Sequence, residues 1–281
     1  MRSIRVSPSS WMFQGAGGDA LHSYGSNVGI IVGDRGQLVV DSGFHNAAAR
    51  KIMRFLYDPK HTTPAKFIVN THYHSDHTFG NGFLAHHGSP VIAQEKARRE
   101  ILKKSARLLE SYRTRGPEFA RMLRGVRVHP PNVTFRDALG VYLDDLSKVE
   151  LVHPGYRAHT DGDTIVYSLK DHVLFAGDIL WVNYHPNLED ADIQGQIRAL
   201  KMILRLRPRK IVPGHGPLSG PREVRQAIRY LDQLDRNKKK ALRNKLRRQD
   251  LFRATIPSWA WNWKMRWALE SYLEKHAGMN D

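Results

Sequence analysis

Apolar residues in this chain come in short runs set off by Gly, Pro, Asn and Asp, with a few stretches where they recur every three or four positions. Short runs read as strands and the wider spacing as helices. Within 28–41, VGIIVG and QLVVD are two expected strands joined at Asp34-Arg35-Gly36. A helix is expected at about 45–57, ending before Asp58-Pro59, and KFIVN (66–70) reads as a buried strand. Another strand is expected at 90–93. Over 95–124, Ala97, Ile101, Leu108 and Tyr112 keep a helical spacing that Gly116-Pro117 splits into two helices. Strands follow at 133–135, 141–143, 149–153, 164–168 and 173–176, then a helix at 193–206 and a strand at 210–212. A long charged helix over 222–248 and an aromatic-rich helix in SWAWNWKMRWALESYLEKH close the chain. Grouped strands with helices between them, in two similar halves, predict an α/β fold with sheets packed together and helices outside.

Composition adds little about fold and more about chemistry. With 281 residues, 41% of them hydrophobic, the chain can bury a substantial core in one domain or two. Lys and Arg number 44 against 27 Asp and Glu, a surplus that bears on solubility and polyanion partners. The absence of cysteine excludes disulfides, thiolate ligands and a cysteine nucleophile. No apolar stretch approaches the roughly 18 residues of a transmembrane helix. The start, MRSIRVSPSSWMFQG, lacks a signal-peptide core. As the sequence stands a cytoplasmic location is expected, or a periplasmic one if a leader had been removed.

The chemistry concentrates in His72-x-His74-x-Asp76-His77, directly after KFIVN. If the strand continues, its alternation points His72 and His74 the same way, and Asp76 and His77 face the same cavity after a turn. Four ligand-type residues in six positions exceed what one metal site needs. Candidate partners are His159 in AHTDGD, Asp178 in LFAGDIL and His215 in IVPGHGP, each at the end of an apolar run.

The order of these segments resembles the metallo-β-lactamase superfamily: an Asp closing an early strand (Asp41 in VVDSG), HxHxDH, a later His, a Gly-Asp and a final Gly-His-Gly. The match spans 28–216. The resemblance implies a four-layer αβ/βα metallo-β-lactamase sandwich over 1–220, with 221–281 a basic, aromatic-rich helical extension packed on the same domain. It implies two metal ions, zinc first, with iron or manganese as alternatives. One ion would take His72, His74 and His159, the other Asp76, His77 and His215, with Asp178 bridging them and Asp41 orienting the histidine loop. His153 competes with His159, but it precedes Pro154-Gly155, whereas His159 stands in the HTxGD context of the family.

The same resemblance bears on the reaction. It implies a hydrolase of a small ester, thioester, lactone or β-lactam, using a hydroxide shared by the metals, with Asp76 orienting the nucleophile or carrying a proton. Asp at 178, where true β-lactamases of the superfamily commonly have Cys or Ser, resembles thioesterase, lactonase and phosphodiesterase members. His at 74, where flavodiiron oxygen reductases have Glu, separates the chain from them. A mononuclear iron dioxygenase keeps a similar histidine set and stays open. The stretch AHTDGDTIVY and VLFAGDILWVNYHPNLEDADIQG is similar to the quinoprotein-relay or Sox-type metallohydrolases.

Three adjoining features complete the reading. Asn183, Tyr184 and His185 follow Asp178 and are candidates to line the substrate pocket; Phe79 and Phe83 read as packing and Asn81 as a turn residue. The run 236–248 carries eight Lys or Arg in thirteen positions. It reads as a solvated face, or as a contact for nucleic acid or an anionic surface, which would make the protein a nuclease. Trp259, Trp261, Trp263 and Trp267 are expected to fold the tail onto the sandwich or to pack a subunit contact, so an oligomer stays open.

Overall fold

All nine residues of VLFAGDILW are buried, and alternate side chains serve two different cores. Val173 and Phe175 lie in a cluster with Val40, Val69, Leu151 and Val212, between two sheets. Leu174 and Ala176 lie on the other face, with Ile197, Leu200 and Leu231 of the covering helices. A strand apolar on both faces belongs in the middle of a layered molecule.

The computed structural model describes residues 1–15, 25–58, 65–244, 246 and 248–276. One sheet has seven strands in chain order: β1 (Arg2–Arg5), β2 (Ser10–Gln14), β3 (Val28–Gly33), β4 (Gly36–Val40), β5 (Ala65–Val69), β6 (Val91–Gln94) and β7 (Val133–Phe135). The other has five, ordered β12-β11-β10-β9-β8: β8 (Ala138–Tyr142), β9 (Lys148–Val152), β10 (Ile165–Ser168), β11 (Val173–Trp181) and β12 (Lys210–His215). Helix α1 (Asn46–Leu56) covers the outer face of the first sheet through Ala49, Ile52 and Leu56. The short helices α2 (Ser75–Thr78) and α3 (Asn81–Leu84) follow β5, and α4 (Glu95–Arg113) and α5 (Pro117–Met122) follow β6. Helices α6 (Ile193–Arg205), α7 (Pro221–Arg243), α8 (Arg248–Thr255) and α9 (Arg266–His276) share one buried cluster with β10 and β11. Helix, sheet, sheet and helix thus stack as the four-layer sandwich that the family resemblance implies.

Several elements differ from their sequence reading. β1 and β2 were not predicted; β1 is a short, polar, exposed edge strand that carries no periodic signal. α2 and α3 have four residues each, too few to establish a helical period. β11 runs on to Trp181 because Gly177 and Asp178, which look like a turn, sit in a bulge where pairing with β12 shifts register. The charged helix expected over 222–248 ends at Arg243, capped by Asn244, and a new helix starts at Arg248. Lys245 and Arg247 of that basic run lie outside the described residues. No helix among the described residues is long and apolar enough to cross a membrane.

Candidate metal centre

The rim where the two sheets open carries the candidate residues. His72 and His74 do not extend β5, as strand alternation assumed; β5 stops at Val69 and both lie in the loop before α2. Their convergence comes from anchors instead. Asp41 accepts the Thr71 N–H at 2.7 Å and the Thr71 hydroxyl at 2.8 Å. Asn70 donates to the His77 carbonyl at 3.1 Å, and its amide is paired with that of Asn81 at 2.8 and 3.0 Å. Asn81 is therefore a buried bolt for the loop, where the sequence suggested a turn.

From the second sheet, the β11 bulge presents Asp178. Gly177 stands at φ +51, and a Cβ there would lie 2.7 Å from the Thr71 side chain. Gln196 of α6 fixes the bulge, donating to the carbonyls of Asp178 and Ile179 at 3.1 Å each. Gly214 of β12 is equally constrained, since a Cβ would collide with the Asp178 carboxylate. Ser26 ties the halves together: its hydroxyl donates to the Asp76 carbonyl at 2.7 Å, and its backbone bridges to His215 of β12.

The result is two adjoining groups, His72, His74, His159 and Asp178, and Asp76, His77 and His215, each with ligand atoms within 4.8 Å of one another. In the first, His72 Nε2 and His159 Nε2 each lie 3.0 Å from His74 Nδ1. Asp178 faces both groups. Its Oδ2 is 3.7 Å from His72 Nε2 and 3.4 Å from His159 Nε2. Its Oδ1 is 3.2 Å from His77 Nε2 and 3.4 Å from His215 Nε2. Asp76 Oδ2 completes the second group, 3.5 Å from His77 Nε2 and 3.3 Å from His215 Nε2. His153, the competing candidate, lies apart, its Nδ1 2.8 Å from the Asp163 carbonyl.

Neighbouring acceptors set the histidine tautomers. His77 Nδ1 donates to Asp41 at 2.8 Å, which turns its Nε2 toward the cluster. The Thr71 hydroxyl, donating to Asp41, accepts from His72 Nδ1 at 3.1 Å, so His72 turns a lone pair inward. Asp190 does the same for His74 from the opposite ring atom: its Oδ2 lies 3.3 Å from Nε2, leaving Nδ1 as the inward atom. Lone pairs facing each other at 3.0 Å repel unless a cation stands between them. Tetrahedral zinc with imidazole ligands at about 2.0–2.1 Å separates the nitrogens by roughly 3.3 Å. His77 Nε2, His215 Nε2 and Asp178 Oδ1 are buried with no hydrogen-bond partner among the described residues. These donors fit one cation in each group.

Charge reinforces the fit. Burial drives His72 well below its ordinary pKa and pushes His159 down to about 3, keeping both neutral. Burial also disfavours charge on His77 and His215, but the carboxylates outweigh it. Asp178, Asp76 and Asp41 hold His77 well above its ordinary value, and Asp178 and Asp76 push His215 up to about 9. The potential that holds protons on those rings would equally hold a divalent cation.

A cavity of about 650 Å³ opens over the cluster, with Asp76, Asp178, His215 and Trp181 at its floor and α4 along one wall. Asn183, Tyr184 and His185, the expected pocket residues, do not line it. The chain bends at Asn183, at φ +63, and His185 turns into the core, its Nδ1 2.7 Å from the Tyr230 hydroxyl. The sequence reading missed Trp181, stacked on His215 at 3.8 Å, and Asp190, set on the loop after β11. It also missed that the tail reaches the cavity through Met265 and Trp267. Trp263 folds the tail inward, stacking on Tyr230 at 4.7 Å. Phe79 packs against Phe44 as expected.

A layered αβ/βα sandwich with two His/Asp groups at its rim defines a metallohydrolase-type enzyme. The family model described as the metallo-β-lactamase superfamily matches residues 24–215, and the chain belongs to that superfamily. Its fold is similar to that of a metallo-β-lactamase from Pontibacter korlensis, with TM-score 0.67 and 19% identity over 82% of this chain and 98% of that one. The metallo-β-lactamase FIM-1 from Pseudomonas aeruginosa, in its mono-zinc form, matches with TM-score 0.63 and 17% identity over 82% and 94% of the two chains. A metallo-β-lactamase from Hirschia baltica matches with TM-score 0.62 and 15% identity over 81% and 96%.

Proposed function

We propose that the protein is a two-metal hydrolase, with zinc the foremost candidate, acting on a small ester, thioester, lactone or β-lactam. One observation carries this reading: the two oxygens of Asp178 face different groups, Oδ2 toward His72 and His159, and Oδ1 toward His77 and His215. His72, His74 and His159 would hold one ion; Asp76, His77 and His215 the other; Asp178 both. Divalent ions held by these residues would supply Lewis acidity, to activate water near neutral pH and to polarise an acyl oxygen.

The remaining roles belong to the chain's own groups. Burial alone would raise the Asp76 carboxyl, but His77 and His215 beside it bring it below the ordinary range. It is thus ionised at neutral pH and faces the cavity, where it can orient the nucleophile and take up its proton. Trp181, stacked on His215, shields that ring and offers a flat apolar floor for the substrate. Asp41 and Asp190 hold His77 and His74 in their ligating tautomers.

We assign 1–220 as the catalytic sandwich and 221–281 as an extension of the same domain, supported by the core that α7, α8 and α9 share with α6. The finer placement among quinoprotein-relay or Sox-type metallohydrolases rests on the sequence around Asp163 and Asp178 alone. A nuclease is the weaker reading, because no described residue of the basic run 236–248 lines the cavity. Turnover of metal-loaded protein on chromogenic esters, thioesters, lactones, β-lactams and bis(p-nitrophenyl) phosphate tests the proposal. Hydrolysis of the phosphodiester alone would replace it with the nuclease reading.

A further inference from the structure

Helix α4 presents two adjacent ridges to the cavity, and they differ in character. Positions 104, 108 and 112 form one i, i+4 row, and 103, 107 and 111 the next, with Arg115 just past the helix end. The first row is fastened to the histidine loop. Lys104 donates to the Tyr73 hydroxyl at 3.1 Å and lies 3.6 Å from Asp190; the Tyr112 hydroxyl lies 3.4 Å from Ser75 Oγ. Leu108, between them, makes the middle of that row apolar. The second row is rotated away from the loop and stands farther out, with Lys103 and Arg107 as its cations.

Four Lys or Arg and four carboxylates line the cavity, but they are not equally engaged. Asp76 and Asp178 belong to the candidate metal centre, and Asp190 is occupied by His74, Tyr73 and Lys104. Glu189 remains as the other carboxylate on the wall. Lys103 and Arg107 are exposed and pair with no carboxylate among the described residues. Opposite α4, Trp181 and Trp267 supply flat apolar surface.

We propose that this cavity selects a small amphiphilic anion, a substrate with an apolar body and an oxyanion tail. The body lies on Leu108, Trp181 and Trp267, and the tail on Lys103 and Arg107, so that the scissile group is held over the cluster. The inference rests on the hydrolase reading for what becomes of the bound molecule, while the binding preference is testable by itself. Electrostatic attraction of this kind raises encounter rate and affinity for an anion and weakens with salt.

The experiment measures binding by tryptophan fluorescence, titrating metal-loaded protein with 2-naphthoate, 2-naphthylphosphonate and the neutral 2-naphthamide. Wild type is compared with Lys103→Gln/Arg107→Gln, and with Lys201→Gln/Arg205→Gln on the exposed face of α6 as a charge-matched surface control. The two anions should bind at least tenfold more tightly than the amide, and the double variant should lose most of that advantage while binding the amide unchanged. A stronger effect on the phosphonate than on the carboxylate would identify the tail as phosphate-like, and the reverse as a carboxylate. Equal affinity for all three probes, or an anion preference untouched in the double variant, would overturn the proposal. So would tight binding of a single-stranded oligonucleotide without binding of either naphthyl anion. Ester turnover of the same preparations is read separately: anion binding without turnover would sink the hydrolase reading and leave the binding site standing.

Discussion

Asp190 stands behind His74, its Oδ2 3.3 Å from Nε2, so that the Nδ1 of the same ring faces His72 and His159. His74 is the one histidine of its group to point Nδ1 inward. The contact with His74, together with that of Tyr73, outweighs burial and holds the Asp190 carboxyl well below the usual carboxylate range. Asp190→Asn should therefore keep the fold and weaken metal at the first group by about 10–100-fold. Competition with a chromogenic chelator checks it; unchanged affinity would mean that His74 needs no such partner.

Asp178 and Asp163 both follow a Gly in the sequence, yet they occupy different environments. Asp178→Asn removes a carboxylate that faces both groups, and it should lower bound metal toward one ion per chain and slow hydrolysis by orders of magnitude. Asp163 is no ordinary turn residue: it is buried and accepts from the Thr160 N–H at 2.9 Å and the Thr160 hydroxyl at 2.7 Å. Asp163→Asn should retain both ions and lose stability by about 1–3 kcal/mol as those bonds weaken. Metal content and thermal unfolding of the two variants separate the effects, and equal metal loss in both would make Asp178 a mere structural residue.

Gly214 has a role that its neighbours dictate. A Cβ at this position would strike the Asp178 carboxylate and lie 2.7 Å from the Gly177 carbonyl carbon. Gly214→Ala must displace the bulge of β11, with an expected cost of about 1–3 kcal/mol. Bound metal should fall with it. Full occupancy at unchanged melting temperature would show that the bulge can yield without consequence.

Much of this was legible in the sequence, for physical reasons that also mark the limits. Residues such as Ile68, Val69 and Val212 are buried on sheet faces, and their short apolar runs gave strand positions within a few residues. All seven candidate ligands fall in the two groups, because side chains of this kind at strand ends had a shared edge to meet at. What the pattern could not carry was long-range pairing. Asp190 and Gln196 act across more than a hundred and about eighteen positions, respectively, on His74 and Asp178, and nothing local announces either contact. Nearness to Asp178 puts Asn183 to His185 in the pocket on sequence grounds, but the bend at Asn183 turns His185 into the core. The charged helix over-ran its end because Lys and Arg are good helix formers and supply no stop signal.

His185 yields a pH prediction away from the metal centre. Burial pushes its pKa down to about 4 from an ordinary 6.5, so the folded state favours the neutral ring. Between those values the unfolded chain binds more protons, and stability falls as pH falls. The contribution is complete above about pH 6.5 and is lost toward pH 4, by up to about 3 kcal/mol. His185→Gln should remove it, so the stability gap between wild type and variant narrows as pH drops through that window. Denaturant unfolding at pH 7, 5.5 and 4.5 reads the gap directly, and a gap independent of pH would contradict a buried neutral ring.

The central claim is that Asp178 joins two cation sites, and metal stoichiometry tests it most directly. Elemental analysis of the purified protein, after gel filtration into metal-free buffer, should give close to two divalent ions per chain, with zinc dominant. A single tightly held iron per chain would contradict the two-metal hydrolase and favour oxygen chemistry at His72, His74 and His159.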